Sequence, residues 1–145
     1  MENQMEMCFQ SLITNVQFSR TAVAAFVGSL NPTIDEIIEI KTIVSEAVSN
    51  AIIHGYQNSA KHKVVVKVTM EDSRKVTIIV QDYGIGIKNI EAARVPMYSS
   101  LKDLEHAGMG FTIIETLSDN LEVHSTLDLG TKLIISKQLK DFDLG

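Results

Sequence analysis

Two runs of alternating residues, Val64 to Met70 and Val76 to Asp82, constrain the chain most, because both are rich in β-branched side chains and only a short polar break divides them. Such residues suit a pleated surface, and the turn Glu71-Asp72-Ser73-Arg74 makes the pair an antiparallel hairpin. Val64, Val66, Val68 and Met70 share one face, as do Val76, Ile78 and Val80, the face expected to look toward helices. The same period of two carries Asp82 onto that face, so a carboxylate is expected at the mouth of a cleft between sheet and helices. Tyr83-Gly84-Ile85-Gly86-Ile87 follows, with two glycines at which backbone can approach a ligand closely.

Upstream, Met5, Met7 and Phe9 alternate with Glu6, Cys8 and Gln10, the pattern of a half-buried edge strand. From Asn15 to Leu30, Val16, Val23, Phe26, Val27 and Leu30 recur at helical spacing among alanines. Asn31-Pro32 stops this helix, and Thr33-Ile34-Asp35-Glu36 reads as a capping box that opens a second, central one. Glu46, Asn50 and His54, spaced four apart, stack along one face of the central helix, which Gly55 is expected to close in a left-handed conformation. A carboxylate beside an amide suits a divalent metal and a hydroxyl that must lose a proton; a solvated polar stripe has the same look. His54 reads as a packing or hydrogen-bonding residue at the helix end, and Arg20 either as a surface cation or as a partner contact.

From Lys88 to Gly108 the periodicity weakens around Pro96, which predicts a mobile lid with one short helix. Gly108-Met109-Gly110-Phe111 then leads into a short helix, Thr112 to Leu117, whose N-terminal amides are expected to be free for phosphate. Strands at Leu121 to Thr126 and Lys132 to Lys137, joined by Leu127-Asp128-Leu129-Gly130, close the domain before a frayed tail from Lys140. With 145 residues and 45% hydrophobic content, residues 1–145 are expected to form one domain. A net charge of −5 argues against binding nucleic acid directly, which needs a basic face. One cysteine, Cys8, excludes an intramolecular disulfide and a zinc cluster. Without a basic leader or a membrane-length apolar run, the chain is expected to be soluble, cytoplasmic and off the membrane.

The order of these features is more specific than any one of them. A polar helix face, Asp82-x-Gly84-x-Gly86 at a strand end, a long loop, Gly108-x-Gly110 and then Gly130-Thr131 together resemble the nucleotide site of the GHKL superfamily of Bergerat-fold ATPases and kinases. Ser45 to Tyr56 and Gly108 to Ile113 are similar to the anti-sigma serine kinases of spore formers. The resemblance implies an α/β two-layer sandwich, with helices on one face of a mixed, mostly antiparallel sheet and ATP between helices and lid. It implies that Asp82 accepts a hydrogen bond from the exocyclic amine of adenine and that Thr131 supports the base through its hydroxyl or a water. Asn50 matches the Mg²⁺ ligand, Gly84 and Gly86 the close backbone approach, and Gly108, Met109, Gly110 and Phe111 the segment around the phosphates. Glu46 matches the general base, and Arg20 lies where that group has a partner-contacting arginine. No Gly-Lys-Ser or Gly-Lys-Thr of a Walker site occurs.

The implied activity is ATP-dependent serine kinase and anti-sigma factor. A homodimer in the ATP state would hold a sporulation sigma factor (sigma F), and an anti-anti-sigma protein would be phosphorylated on serine. Anti-sigma kinases of the general stress pathway share the chemistry, and a binding module that holds a sigma factor without transfer is the other alternative. A histidine kinase is not expected, since the predicted elements leave no room for the separate helix pair that carries its phosphoaccepting histidine. It also departs from its group: Glu105-His106-Ala107 stands where a basic residue often precedes Gly-Met-Gly, leaving His106 or Lys102 for any lid contact to the γ-phosphate.

Overall fold

The computed structural model describes residues 2–94 and 102–141, with 102–109 described by backbone alone. Five strands, β1 (Asn3–Gln10), β2 (Lys63–Met70), β3 (Lys75–Asp82), β4 (Asn120–Thr126) and β5 (Gly130–Gln138), form a sheet in the order β1-β2-β3-β5-β4. All four pairings are antiparallel, so the sheet expected to be mixed has no parallel pair among its described strands. Register aligns Met7, Val66, Val80, Leu133 and Val123 in one row across it. β1 pairs only with β2, the edge position that its alternation predicts.

The α-helices are α1 (Asn15–Val27), α2 (Ile34–Asn50), α3 (Ile90–Arg94) and α4 (Lys102–Leu117), α2 packing between α1 and α4; a 3₁₀ turn (Gly28–Leu30) follows α1 and a π-helical turn (Ala51–Gly55) follows α2. Val23, Val27, Ile40, Ile43, Val44, Val48 and Ile114 on these helices are fully buried with Val66, Ile78 and Ile135 of the sheet. Each such side chain contributes about 1.5–3 kcal/mol of burial, which holds the two layers together. The two-layer sandwich is therefore as expected, with its core along one face of the sheet.

The capping box at the start of α2 forms as predicted. Thr33 Oγ1 accepts the Glu36 N–H at 3.1 Å, and Glu36 Oε1 accepts the Thr33 N–H at 2.9 Å. The second Glu36 oxygen accepts the Lys140 N–H at 2.8 Å, tying the chain after β5 to the helix. Burial alone would raise the pKa of Glu36, but these N–H donors, with Arg74 nearby, hold it below its ordinary value.

Two local expectations are corrected. The central helix ends not in a left-handed Gly55 but in a π-helical turn, Ala51–Gly55, and the positive φ angles fall on Gln57 and Asn58. Glycine is required at 55 for space: a Cβ there would lie 2.7 Å from the Asp82 carboxylate. The helix expected to begin after Gly110 begins at Lys102, so Gly108 and Gly110 lie within α4. The free amides expected there for phosphate are absorbed into the helix interior. Packing overrides the breaker signal, because a Cβ on Gly110 would meet the Asn50 side-chain nitrogen at 2.6 Å. Within the expected lid, α3 is the short helix, and the backbone from Lys102 to Gly108 already belongs to α4. Pro96 and the tail after Asp141 lie outside the described residues, as do the side chains of Lys102 and His106.

Candidate functional site

A cavity of about 790 Å³ opens where the end of α2 meets the ends of β3 and β5. Asn50, Ala51 and His54 line it from the helix end, Asp82 from the end of β3, Gly86 and Ile87 from the loop after it, Phe111 from α4, and Thr131 from β5. These residues converge because the ladder pairs Asp82 with Thr131, and Thr131 with Ser125. The inward row that is apolar at Val80, Leu133 and Val123 thus becomes polar two residues further along, at the cavity.

Asp82 is only 5% exposed. Burial pushes its pKa up to about 6, while N–H bonds from Gly84, at 2.9 Å, and from Thr131 act in the opposite sense. Once ionised, the carboxylate is acceptor-only, so it favours a ligand that brings an amine hydrogen and repels one that brings a carbonyl.

The loop that follows Asp82 is set by close backbone packing. Gly84 and Gly86 were expected to clear space for a ligand, but their space is taken by the protein itself: a Cβ on Gly84 would lie 1.9 Å from the Gly55 carbonyl oxygen, and one on Gly86 2.3 Å from that of Thr126. Gly86 also has φ +77, a conformation that favours glycine, and it lines the cavity, which Gly84 does not. The Ile85 N–H donates to the Gly55 carbonyl at 2.9 Å, joining loop to helix end. The buried Tyr56 hydroxyl donates to the Lys63 carbonyl at 2.5 Å and accepts the Tyr83 N–H at 2.8 Å, bracing the residue next to Asp82.

Asn50 presents a buried amide nitrogen that has no hydrogen-bond partner among the described residues. Such a donor is costly unless an acceptor satisfies it, and a ligand oxygen in the cavity that Asn50 lines could do so, while a cation would be met by the amide oxygen instead. Glu46 stands one turn earlier on α2, half-buried and not among the residues lining the cavity. Arg20 is half-buried on α1 and also does not line it. Gly110 packs on Asn50 rather than lining the cavity, and the side chain of Met109 lies outside the described residues.

Sequence reasoning missed Ser125 and Tyr56. Ser125 Oγ lies 2.8 Å from Thr131 Oγ1 and accepts the Ile87 N–H at 2.7 Å, so it joins β4, β5 and the glycine loop. Its signal was available: Leu121, Val123 and Ser125 alternate on one strand face just as Ile78, Val80 and Asp82 do.

Comparison with known proteins gives the family and the fold. The family model described as a histidine kinase-like ATPase domain matches residues 9–137. The anti-sigma F factor of Oceanobacillus iheyensis is 49% identical over 139 residues, covering 96% of this chain and 94% of that protein. That of Clostridium perfringens is 47% identical over 139 residues, covering 96% and 99%. Among solved structures, the RsbU and RsbW domains of a Mycobacterium tuberculosis protein superpose with a TM-score of 0.69 at 17% identity, covering 94% of this chain and 32% of that one. A histidine kinase domain from Erythrobacter litoralis gives 0.56 at 17% identity over 86% of this chain and 61% of that one. At such identity the solved structures attest the fold alone. The match over 9–137 and the near-half identity along almost the whole length establish that the chain belongs to the histidine kinase-like ATPase domain family, in the group of the anti-sigma F factors.

Proposed function

We propose that this chain is an anti-sigma factor that binds Mg-ATP in the cavity, holds a sporulation sigma factor in its ATP state, and phosphorylates an anti-anti-sigma protein on serine. The observation that carries the nucleotide reading is the buried, acceptor-only Asp82 beside Thr131, with the unsatisfied amide of Asn50 in the same cavity. Asp82 takes the exocyclic amine of adenine, and Thr131 supports the base. Among the described residues no group of three His, Cys, Asp or Glu could hold a metal. A Mg²⁺ ion fits Asn50 because the amide oxygen is a hard ligand and the phosphates bring the remaining oxygens. Bound there, the cation would neutralise charge on the phosphates. The segment 88–108 serves as the nucleotide lid of a single domain, and the protein works as a cytoplasmic homodimer with Arg20 on the partner surface.

In the transfer step the serine oxygen of the partner attacks the γ-phosphorus, the bond from that phosphorus to the β-phosphate bridging oxygen breaks, and ADP leaves. Glu46 takes the serine proton. The names of the relatives support the sigma-factor partner, and Glu46 on the helix that carries Asn50 supports the base. A binding-only reading draws on Glu46 standing outside the cavity wall. Labelled ATP, incubated with a candidate anti-anti-sigma protein, separates the two. The kinase reading predicts phosphoserine on the partner and a loss of about 10²–10⁴ in rate for Glu46→Gln with ATP binding intact. Transfer by Glu46→Gln at the wild-type rate would remove Glu46 as the base, and ATP binding without transfer would leave the binding module.

A further inference from the structure

We propose that Ser125 is a positioning residue that fixes the polarity of the Thr131 hydroxyl, so that the cavity offers two adjacent acceptors and selects a base edge bearing an amine. The inference rests on the adenine-nucleotide reading of the cavity and deepens it. Ser125 Oγ has three polar neighbours: the Ile87 N–H at 2.7 Å, the Gly130 carbonyl oxygen at 3.1 Å and Thr131 Oγ1 at 2.8 Å. A hydroxyl has one hydrogen and two lone pairs. The Ile87 N–H can only donate, so it takes one lone pair. The Gly130 carbonyl can only accept, so it takes the hydrogen. One lone pair is left, and all three contacts become hydrogen bonds only if Thr131 donates to it.

Thr131 thereby commits its only side-chain proton to Ser125 and keeps its oxygen as an acceptor. Thr131 lines the cavity, and Ser125 does not, so Ser125 acts on a ligand only through its neighbour. Directly across the ladder from Thr131 lies Asp82, likewise acceptor-only when ionised. An exocyclic amine, with two hydrogens, suits two neighbouring acceptors. A carbonyl at the same place on the base sets lone pairs against lone pairs. Specificity of this kind arises as much from leaving the wrong ligand unsatisfied as from bonding the right one.

The same serine also braces the Gly84 to Ile87 loop through the Ile87 N–H, and a purely structural role would weaken every nucleotide alike. The preference between two ligands separates the roles. ATP and ITP, which differ in carrying an amine or a carbonyl on the six-membered ring, are titrated calorimetrically into wild type, Ser125→Ala, Ser125→Thr, Thr131→Val and the double variant. In Ser125→Ala the Thr131 hydroxyl is free to turn and donate, so ATP weakens, ITP strengthens, and the ATP preference falls roughly three- to tenfold, the worth of one net hydrogen bond. Ser125→Thr keeps the oxygen and the wild-type preference. In the Thr131→Val background, Ser125→Ala changes the preference no further, since no hydroxyl is left to orient. If Ser125→Ala folds poorly, Ser125→Cys, which keeps the bulk but bonds weakly, gives the same comparison. Equal weakening of ATP and ITP, or a change of preference that persists in the Thr131→Val background, overturns the proposal and leaves Ser125 a loop brace. A wild-type chain that binds neither nucleotide overturns the adenine reading itself, and the polarity assignment falls with it.

Discussion

Asp82 is held in a condition that costs the free protein and that the proposed nucleotide would use. Its pKa is raised from 3.8 to about 6 by burial, so the native state binds a proton that the unfolded chain has already released. Its contribution to stability is therefore full below pH 3.8 and is lost as pH rises through about 6. On the proposed reading, ligand binding has the opposite sign, because the amine of adenine would need the ionised acceptor. ATP affinity should accordingly rise between about pH 5 and pH 7 and level off above, measured by calorimetry at constant ionic strength. Asp82→Asn should lower ATP affinity at least about tenfold, the value of a charge-assisted hydrogen bond, and lose this part of the pH dependence. The titration of ATP itself is common to both proteins and cancels in the comparison. Wild-type affinity in Asp82→Asn would contradict the assignment. Gly110 makes a separate prediction through Asn50. A Cβ at Gly110 would press on the Asn50 amide, 2.6 Å from its nitrogen, so Gly110→Ala should weaken ATP binding more in the presence of Mg²⁺ than in its absence. Equal weakening in both conditions would place the effect in the packing of α4 instead.

Among the elements, α2 links the two ends of the molecule: its last turns line the cavity, and its first turn is tied to the chain after β5. Glu36, 4% exposed, accepts N–H groups from both Thr33 and Lys140. Glu36→Ala keeps the Thr33 N-cap bond but removes the side-chain half of the capping box and leaves the Thr33 and Lys140 N–H groups without their acceptor, which should cost about 2–3 kcal/mol in urea unfolding. Because its folded pKa lies below 4.5, the stability it supplies is present above that value and is lost as pH falls through the lowered one. An unchanged unfolding midpoint in Glu36→Ala would show that solvent replaces the clamp. The cap, the hairpin and the inward face of Asp82 were all legible in the sequence, since each follows from local spacing. The start of α4 and the role of Gly55 were not. Gly55 and Gly110 look like helix breakers along the chain, and each sits where a distant side chain, Asp82 or Asn50 respectively, occupies the space where a Cβ would stand. Ser125 was legible in principle through strand alternation, but its importance depends on pairing with Thr131, which spacing along one strand does not reveal.

At the scale of the whole molecule, no helix among the described residues is long and apolar enough to cross a membrane, and the net charge is −5. The central claim is that the cavity couples nucleotide to partner. A ligand shifts an equilibrium between conformations only through contacts that differ between them, and the γ-phosphate is what distinguishes ATP from ADP. Asn50 lies in the cavity with Phe111 of α4, and Gly110 of that helix packs on Asn50, so contacts to the phosphates would be felt where α2 meets α4. The most direct test is the affinity of the protein for its sigma factor, measured at fixed Mg²⁺ with ATP, with ADP and without nucleotide. The account predicts the tightest binding with ATP, clearly weaker binding with ADP, and loss of the ATP advantage in Asp82→Asn at ATP concentrations that saturate only the wild type. Equal affinity in all three conditions would contradict it.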